Sequence, residues 1–398
     1  MRNAHADWAT PATLLYEAKH RAQPEECLLP ANRSASVLLP RSILFRKKQR
    51  IVAIPVCNEA EHIIPCLLAL AAQTCLPDKV VLWINNTTDD TVNQATALTD
   101  RLPFELKTVS VTYDETKASA GVARRDAMAH AAKTASPDAI LLTTDADSEV
   151  SRDWIDSILA SFIRYPVEAV FGRVLLSPED HAKIPFRLHE DEKTEQAYGA
   201  VLDQIRLLLS PEPHDPWPRH LEHSGASIAV THQAWRKVGG IPNIPSGEDR
   251  EFYRALRRKG IPVRHAPEVT VYVSARLQGR ARGGMAETLA RRLIAPDEYI
   301  DDAFEPVSRR MLRIRRELAY CQGSRSSRTK PPYPEFPSIP ISRNELHRHH
   351  DRALRVLSLL RRMKQSSPEN FQRTIVDQYD IPHPALTDQG SSAFRDRP

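Results

Sequence analysis

"IVAIPVCNEAEHIIPCLLALAAQT", residues 51–74, begins with an apolar, β-branched run, turns at a polar Asn-Glu step, and continues with Ile63, Leu67 and Leu70 at helical spacing. It reads as a buried strand followed by a helix, with Pro65 tolerated because it lies near the helix start. The same unit then repeats down the chain. "KVVLWI" (79–84), "LKTVSV" (106–111) and "AILLTT" (139–144) are strands, while "DDTVNQATAL" (89–98) and "GVARRDAMAHAAK" (121–133), the latter entered through Gly121, are helices. Ser151 is placed to cap a further helix that carries Trp154, Ile155, Ile158, Leu159 and Phe162 on one face. A βαβα series of this kind predicts an α/β fold, a mainly parallel central sheet flanked by helices.

The alternation stops after "EAVFGRVLL" (168–176). A polar helical stretch over 187–209 leads into the Pro- and His-rich loop "SPEPHDPWPRHLEHSGAS" (210–227), long enough to serve a ligand. Ordered patterning resumes with "SIAV" (227–230), a helix around Trp235, a turn at Gly239 and Gly240, the helix "EDREFYRALRRKG" (248–260) and the strand "EVTVYV" (268–273). The expected organisation is a loose N-terminal extension over 1–49 and a single domain over 50–285, in two halves (50–150 and 151–285). A helical C-terminal extension follows: an Arg-rich part (286–320), a Pro/Ser linker (321–342), and a final helix and tail (343–398).

The composition excludes several classes. With 41% hydrophobic and 26% charged residues, the 398-residue chain has enough apolar material for a full core. Its 55 Lys and Arg against 50 Asp and Glu leave +5, a slight excess that suits phosphate-bearing small molecules and does not call for nucleic acid. The five cysteines (27, 57, 66, 75 and 321) form no CxxC pair, so neither a disulfide framework nor a zinc ribbon is signalled, and a reducing, cytoplasmic setting is expected. No apolar stretch approaches the roughly 18 residues of a spanning helix, and the N-terminus does not read as a secretory signal. The basic helix "RRMLRIRREL" (309–318) is consistent with peripheral contact to an anionic membrane or with ordinary packing behind an Arg face.

Behind the fourth strand, "DADS" places Asp145 and Asp147 two residues apart with small Ala146 between them. On extended backbone such residues project to one side, at the carboxyl edge of a parallel sheet where ligands bind. Two carboxylate oxygens suit a hard divalent ion, Mn or Mg, that completes its shell with water and substrate phosphates. The plain alternative is a pair of acids in a turn before a helix. Likewise, Ser246 and Asp249 in "SGED" match a capping box, which would make Asp249 a helix-start residue without chemistry. His214, His220 and His223 share one loop with no Cys beside them, so they are read as acceptor contacts or structural groups and not as a zinc set.

The ordered set of pieces resembles the family 2 glycosyltransferases, nucleotide-sugar enzymes of the GT-A fold, over residues 50–285. The likeness is carried by "IVAIPVCNEAEHIIPCLLALAAQT", "WINNTTDDT", "AGVARRDAMAHA", "DADS", and "SGASIAV" with "VGGIPNIPSGEDREF". It implies a metal-assisted, inverting transfer of one sugar from a nucleotide-diphosphate sugar to an acceptor hydroxyl. By the same resemblance Pro55, Asn58, Glu59, Asn85, Asn86, Arg124, Asp145, Ala146, Asp147, Gly225 and Glu248 line the donor site. Asp145 and Asp147 are the metal ligands, and Asp249 is the catalytic base. The chain departs from the family where Asn85 and Asn86 replace an Asp against the nucleobase, where Arg125 follows Arg124, and where Ser274 and Arg276 stand in place of a His ligand. Gln278, Arg280 and Arg282 do not complete the Gln-x-x-Arg-Trp motif of polysaccharide synthases, which favours a single transfer. The rival readings are a sugar-nucleotide binding module without catalysis and a nucleic-acid-binding protein using the Arg-rich stretches.

Overall fold

The computed structural model describes residues 41–114, 116–276, 285–323 and 339–366. Eight strands form one sheet: β1 (Arg50–Val56), β2 (Lys79–Asn85), β3 (Glu105–Val111), β4 (Ile140–Thr143), β5 (Ser148–Val150), β6 (Ala169–Leu176), β7 (Ile228–Thr231) and β8 (Val263–Val273). Their order is β3-β2-β1-β4-β7-β6-β8-β5. The first four are mutually parallel, as are β6 and β8, whereas β7 runs antiparallel to both β4 and β6, and β5 antiparallel to β8.

The apolar run of β1 is continuous because both faces of the sheet are covered. Val52, Ile54 and Val56 face one side, where they pack with Leu67 and Leu70 of helix α2 (Ile63–Ala71) and Trp154, Ile158 and Phe162 of α5 (Trp154–Arg164). Ile51 and Ala53 face the other, against Met128 of α4 (Ala120–Thr134) and Phe252 and Leu256 of α9 (Glu248–Arg258). Burial on this scale contributes about 1.5–3 kcal/mol per large side chain. It therefore fixes β1, and the turn behind it, as the rigid centre of the molecule.

The remaining helices are α1 (Arg41–Arg46), α3 (Thr91–Ala97), α6 (Pro178–Lys183), α7 (Phe186–Leu209), α8 (His232–Val238), α10 (Met285–Ile294), α11 (Val307–Gly323) and α12 (Leu346–Ser366). Within the segment expected to be a loose extension, α1 is ordered, and Phe45 stacks on Phe162 with centroids 5.3 Å apart. The C-terminal helices are likewise packed. Leu346, Ala353, Leu357 and Leu360 of α12 share an apolar cluster with Tyr198, Leu202 and Ile205 of α7 and Ile314 of α11.

Several local expectations are corrected. Helix α4 is capped by Ser119, whose Oγ accepts a hydrogen bond from the Val122 amide, and not entered through Gly121. Gly121 is required for another reason: a Cβ there would lie 2.4 Å from the Ile244 carbonyl. Ser151 does not cap α5; its hydroxyl donates to Asp153, the residue at the cap position. Strand β8 begins at Val263, ahead of the expected 268, and β5 has no counterpart in the sequence reading. The N-terminal residues 1–40, Gln278, Arg280, Arg282, linker residues 324–338 and the tail 367–398 lie outside the described residues.

Candidate active site

The turn after β1 is tied to the turn after β2. Asn58 adopts φ 53°, and its Oδ1 accepts from the Thr88 amide at 2.8 Å, while the Glu59 and Ala60 amides donate to Thr91 Oγ1 and Asp89 Oδ2. A left-handed backbone in a non-glycine residue is tolerated by Asn, whose short side chain can bond locally, as it does here. These bonds hold the Glu59 carboxylate at the carboxyl edge of the sheet.

At the end of β4 the chain turns sharply, the Ser148 amide donating to the Asp145 carbonyl at 3.2 Å. Ala146 is buried in the core, which leaves the two flanking acids on the accessible side. Each acid meets an arginine from elsewhere in the chain. Arg124, buried on α4, donates to Asp145 Oδ1 at 2.5 Å, Glu248 Oε1 at 2.9 Å, the Gly225 carbonyl at 2.8 Å and Thr143 Oγ1 at 3.2 Å. Arg276, just beyond β8, grips Glu59 through both terminal nitrogens at 2.6 and 2.8 Å and stands 3.0 Å from Asp147 Oδ2. The resulting cluster runs Glu59, Arg276, Asp147, Asp145, Arg124, Glu248.

Helix α9 supplies the far end of the cluster. Its N-cap is Gly247, with φ 72°, and no side chain caps it, so the Ser246–Asp249 capping box does not form. Asp249 instead accepts the Gly225 amide on Oδ2 at 2.9 Å and the Arg250 amide on Oδ1 at 2.7 Å. Gly225 is thus held from both sides, its carbonyl by Arg124 and its amide by Asp249. A Cβ at Gly225 would lie 2.5 Å from the guanidinium carbon of Arg124.

Burial and the neighbouring Asp145 push Asp147 up to about 6, an effect that the Arg276 charge opposes and Glu59 reinforces. Asp249 is also raised, by burial and then by Glu248, against the opposing pull of its two amide hydrogen bonds and Arg124. Cys66, whose thiol donates to the Asp145 carbonyl at 3.5 Å, is pushed far up by burial and these carboxylates, so it stays an unreactive thiol.

The structure therefore brings together Glu59, Arg124, Asp145, Asp147, Gly225, Glu248 and Asp249. Pro55 lies in β1 opposite Trp83 of β2. Asn85 is buried at the end of β2, and Asn86, at φ 49°, spends its side-chain amide on the backbone of Tyr113, accepting from its N–H and donating to its carbonyl, each at 2.9 Å. Tyr113 in turn bridges Trp83 and Asp126, forming a polar-edged wall beside that turn. Arg276, noted in the sequence only as a departure, is part of the cluster; its position could be inferred only from the pairing of β8 in the sheet. Among the described residues no group of three His, Cys, Asp or Glu side chains is arranged to hold a metal ion. Asp145 and Asp147, each paired with an arginine, offer two carboxylates, the oxygen chemistry that suits a hard cation whose remaining ligands come from phosphates and water.

Residues 51–212 match the model of glycosyl transferase family 2. The match takes in β1 to β6, the Asn-Glu turn, Arg124 and the Asp pair, and ends before Gly225 and Asp249. Among solved structures, the chain is similar to S. aureus TarS 1–349 in complex with UDP-GlcNAc, at 14% identity over 83% of this chain and 91% of that one, with a TM-score of 0.44. It is also similar to the Pyrobaculum calidifontis mannosyltransferase PcManGT with GDP-Man and Mn2+ (17% identity, 84% and 88% covered, TM-score 0.40). A third similar structure is the Mycobacterium tuberculosis glucosyl-3-phosphoglycerate synthase with Mn2+, UDP-glucose and phosphoglyceric acid (14%, 67% and 85%, TM-score 0.40). No curated protein matches the chain. Among the described residues no helix is long and apolar enough to cross a membrane.

Proposed function

We propose that the chain, whose residues 51–212 match the model of glycosyl transferase family 2, is a transferase that moves one sugar from a nucleotide-diphosphate sugar to an acceptor hydroxyl, with inversion and with help from a divalent metal. The observation that carries this reading is the cluster of Asp145, Asp147, Arg124 and Arg276 at the carboxyl edge of the sheet. It concentrates oxygen ligands and fixed cations at one point, the arrangement a diphosphate leaving group needs.

In this reading Asp145 and Asp147 hold Mn or Mg, which supplies Lewis-acid stabilisation of the charge that builds on the diphosphate. Arg124 is buried and bonded on every side, so it fixes Asp145, Gly225 and Glu248 in place and does not itself travel. Among the described residues the Arg276 guanidinium meets only carboxylates, and Arg276 is half-buried. It is the cation able to exchange Asp147 for a phosphate oxygen. Pro55, Asn58, Asn85 and Asn86 form the nucleoside wall through backbone and packing, since the Asn86 amide is engaged with Tyr113.

Asp249 stands at the acceptor end. Its raised pKa strengthens it as a base, and the two amides on its oxygens fix the direction of the remaining lone pairs. The acceptor oxygen forms its bond to the anomeric carbon as the bond to the diphosphate breaks. The hydroxyl proton passes to Asp249, and the diphosphate leaves with the electron pair. No covalent intermediate on the protein is needed. The test is a panel of UDP-, GDP- and dTDP-sugars, each assayed with and without Mn2+ for thermal stabilisation and for donor turnover. Metal-dependent stabilisation by at least one donor, lost in Asp145→Ala, is expected; stabilisation by none overturns the reading.

A further inference from the structure

Strands β6 and β8 run parallel and finish together, with Leu176 opposite Val273 as the last pair of their ladder. The pairing of β8 with β5 ends at Val273 as well. On the β6 side the chain turns at once into α6. Ser177 takes the cap position, its Oγ accepting the Asp180 amide at 3.1 Å, and Pro178 opens the helix. A capping Ser followed by Pro starts a helix abruptly, so α6 begins directly beyond the sheet.

In the first turn of α6, the Asp180 carboxylate meets the outgoing end of β8. Its Oδ2 accepts the Ala275 amide at 3.0 Å, and its Oδ1 accepts from Lys183 Nζ at 2.7 Å. Those two bonds hold Asp180 below the ordinary carboxylate range. Ala275 lies past the end of β8, where no ladder holds its amide, so Asp180 takes the place of a strand partner. The next amide is held as well, Arg276 N–H donating to Ser274 Oγ at 3.3 Å.

Arg276 follows immediately, with its guanidinium on Glu59 and Asp147. Paired bonds from a planar guanidinium demand a fixed approach, and a long side chain keeps one only from a fixed backbone. Among the described residues Asp180 makes no ion pair with Arg276; its influence runs through the Ala275 peptide.

We propose that Asp180 is a positioning residue for Arg276: by holding the Ala275 amide it fixes the backbone from which the guanidinium reaches Glu59, Asp147 and the donor diphosphate. The inference rests on the transferase reading above and adds to it a residue outside the acid cluster, one that bonds neither donor nor metal.

Two effects of opposite sign make this testable. As a negative charge, Asp180 repels a bound diphosphate, so its removal would tighten nucleotide binding; as the holder of Ala275, its removal loosens Arg276 and weakens binding. Calorimetry of UDP, GDP and dTDP, each with Mn2+, reads that sign on the full chain. Asp180→Ala is expected to weaken binding about fivefold, and Asp180→Asn, which loses the charge but keeps an oxygen for the Ala275 amide, to stay within about twofold of wild type. In an Arg276→Gln background, Asp180→Ala should have no further effect, because the group it positions is gone. Lys183→Ala spares the Ala275 bond and should leave affinity unchanged. Hydrogen exchange gives a readout without ligand: the Ala275 amide should exchange about tenfold faster in Asp180→Ala, with protection restored in Asp180→Asn.

Unchanged or tighter nucleotide binding by folded Asp180→Ala overturns the proposal. So does an Asn variant no better than Ala, or full additivity of Asp180→Ala with Arg276→Gln. Should Asp180→Ala not fold, Asp180→Ser, whose side chain is one bond shorter than that of Asp, is judged by the same criteria. If the wild-type chain binds a nucleotide and the variants depart from this pattern, the proposal fails alone. If it binds none of the three diphosphates, the transferase reading fails first and takes the proposal with it.

Discussion

Arg276 closes a charged bridge between Glu59 and Asp147, two acids that the sheet brings together from the turn after β1 and from the turn after β4. A guanidinium beside Asp147 competes with a metal for that carboxylate, and it also provides a ready partner for phosphate oxygens. Arg276→Gln should therefore have opposite effects on two ligands. Mn2+ alone should bind more tightly, because a positive charge has left the acid cluster, while a nucleotide diphosphate should bind about tenfold more weakly. Calorimetry of each ligand separately decides it. Unchanged nucleotide affinity would return Arg276 to a structural role.

Asp147, a metal ligand in the reading proposed above, carries a stability cost. Its pKa lies near 6, above the ordinary 3.8, so the charged form is disfavoured in the folded protein. The sign follows from linkage: the folded state binds the extra proton, so this contribution is present at low pH and is lost as pH rises through about 6. At pH 7.5 the penalty is about 3 kcal/mol at most. Asp147→Asn should raise the Tm of the metal-free protein at pH 7.5 but not at pH 4, while abolishing metal-dependent donor binding. Melting curves of the two proteins at both pH values test it, and equal curves at pH 7.5 would contradict the burial argument.

Gly225 offers a packing test. A methyl group there meets the Arg124 guanidinium at 2.5 Å, and Arg124 cannot yield because Asp145, Glu248 and Thr143 hold its other nitrogens. Gly225→Ala should destabilise the protein by about 1–3 kcal/mol and weaken donor binding with it. A variant of unchanged stability and affinity would show that the loop carrying Gly225 shifts freely.

The first half of the fold was legible in the sequence because β1 to β4 alternate with helices, and β1, β2 and β4 are apolar runs while the edge strand β3 alternates apolar and polar residues. The second half was less so. Strands β5, β7 and β8 find partners far away in sequence, and β5, three residues long, carries no periodic signal of its own. At the site, Arg124 and the Asp pair could be read from the resemblance. The partnership of Arg276 with Glu59 spans 217 positions, and that of His265 with Asp215 depends on β8 register, so neither leaves a local trace. The Pro/Ser linker looked like a boundary, yet the helix beyond it buries Leu346, Ala353, Leu357 and Leu360 against α7. Side-chain patterning marked α12 as amphipathic but could not say which surface it covers.

The last expectation concerns Asp249, for which the sequence offered two roles. The structure removes the capping box, since the N-cap of α9 is Gly247 and Ser246 makes no cap. Asp249 still binds two backbone amides, so substitution must be chosen to spare them. Asp249→Asn keeps one acceptor oxygen and the shape of the side chain, at a stability cost of about 1 kcal/mol. As a base, however, the amide is useless, and transfer should fall roughly a hundredfold or more with donor affinity nearly intact. Ser246→Ala is the control and should change neither stability nor rate. Full-rate transfer by Asp249→Asn would leave the carboxylate with only the task of holding the Gly225 loop, and the base would have to be sought elsewhere along the acceptor end.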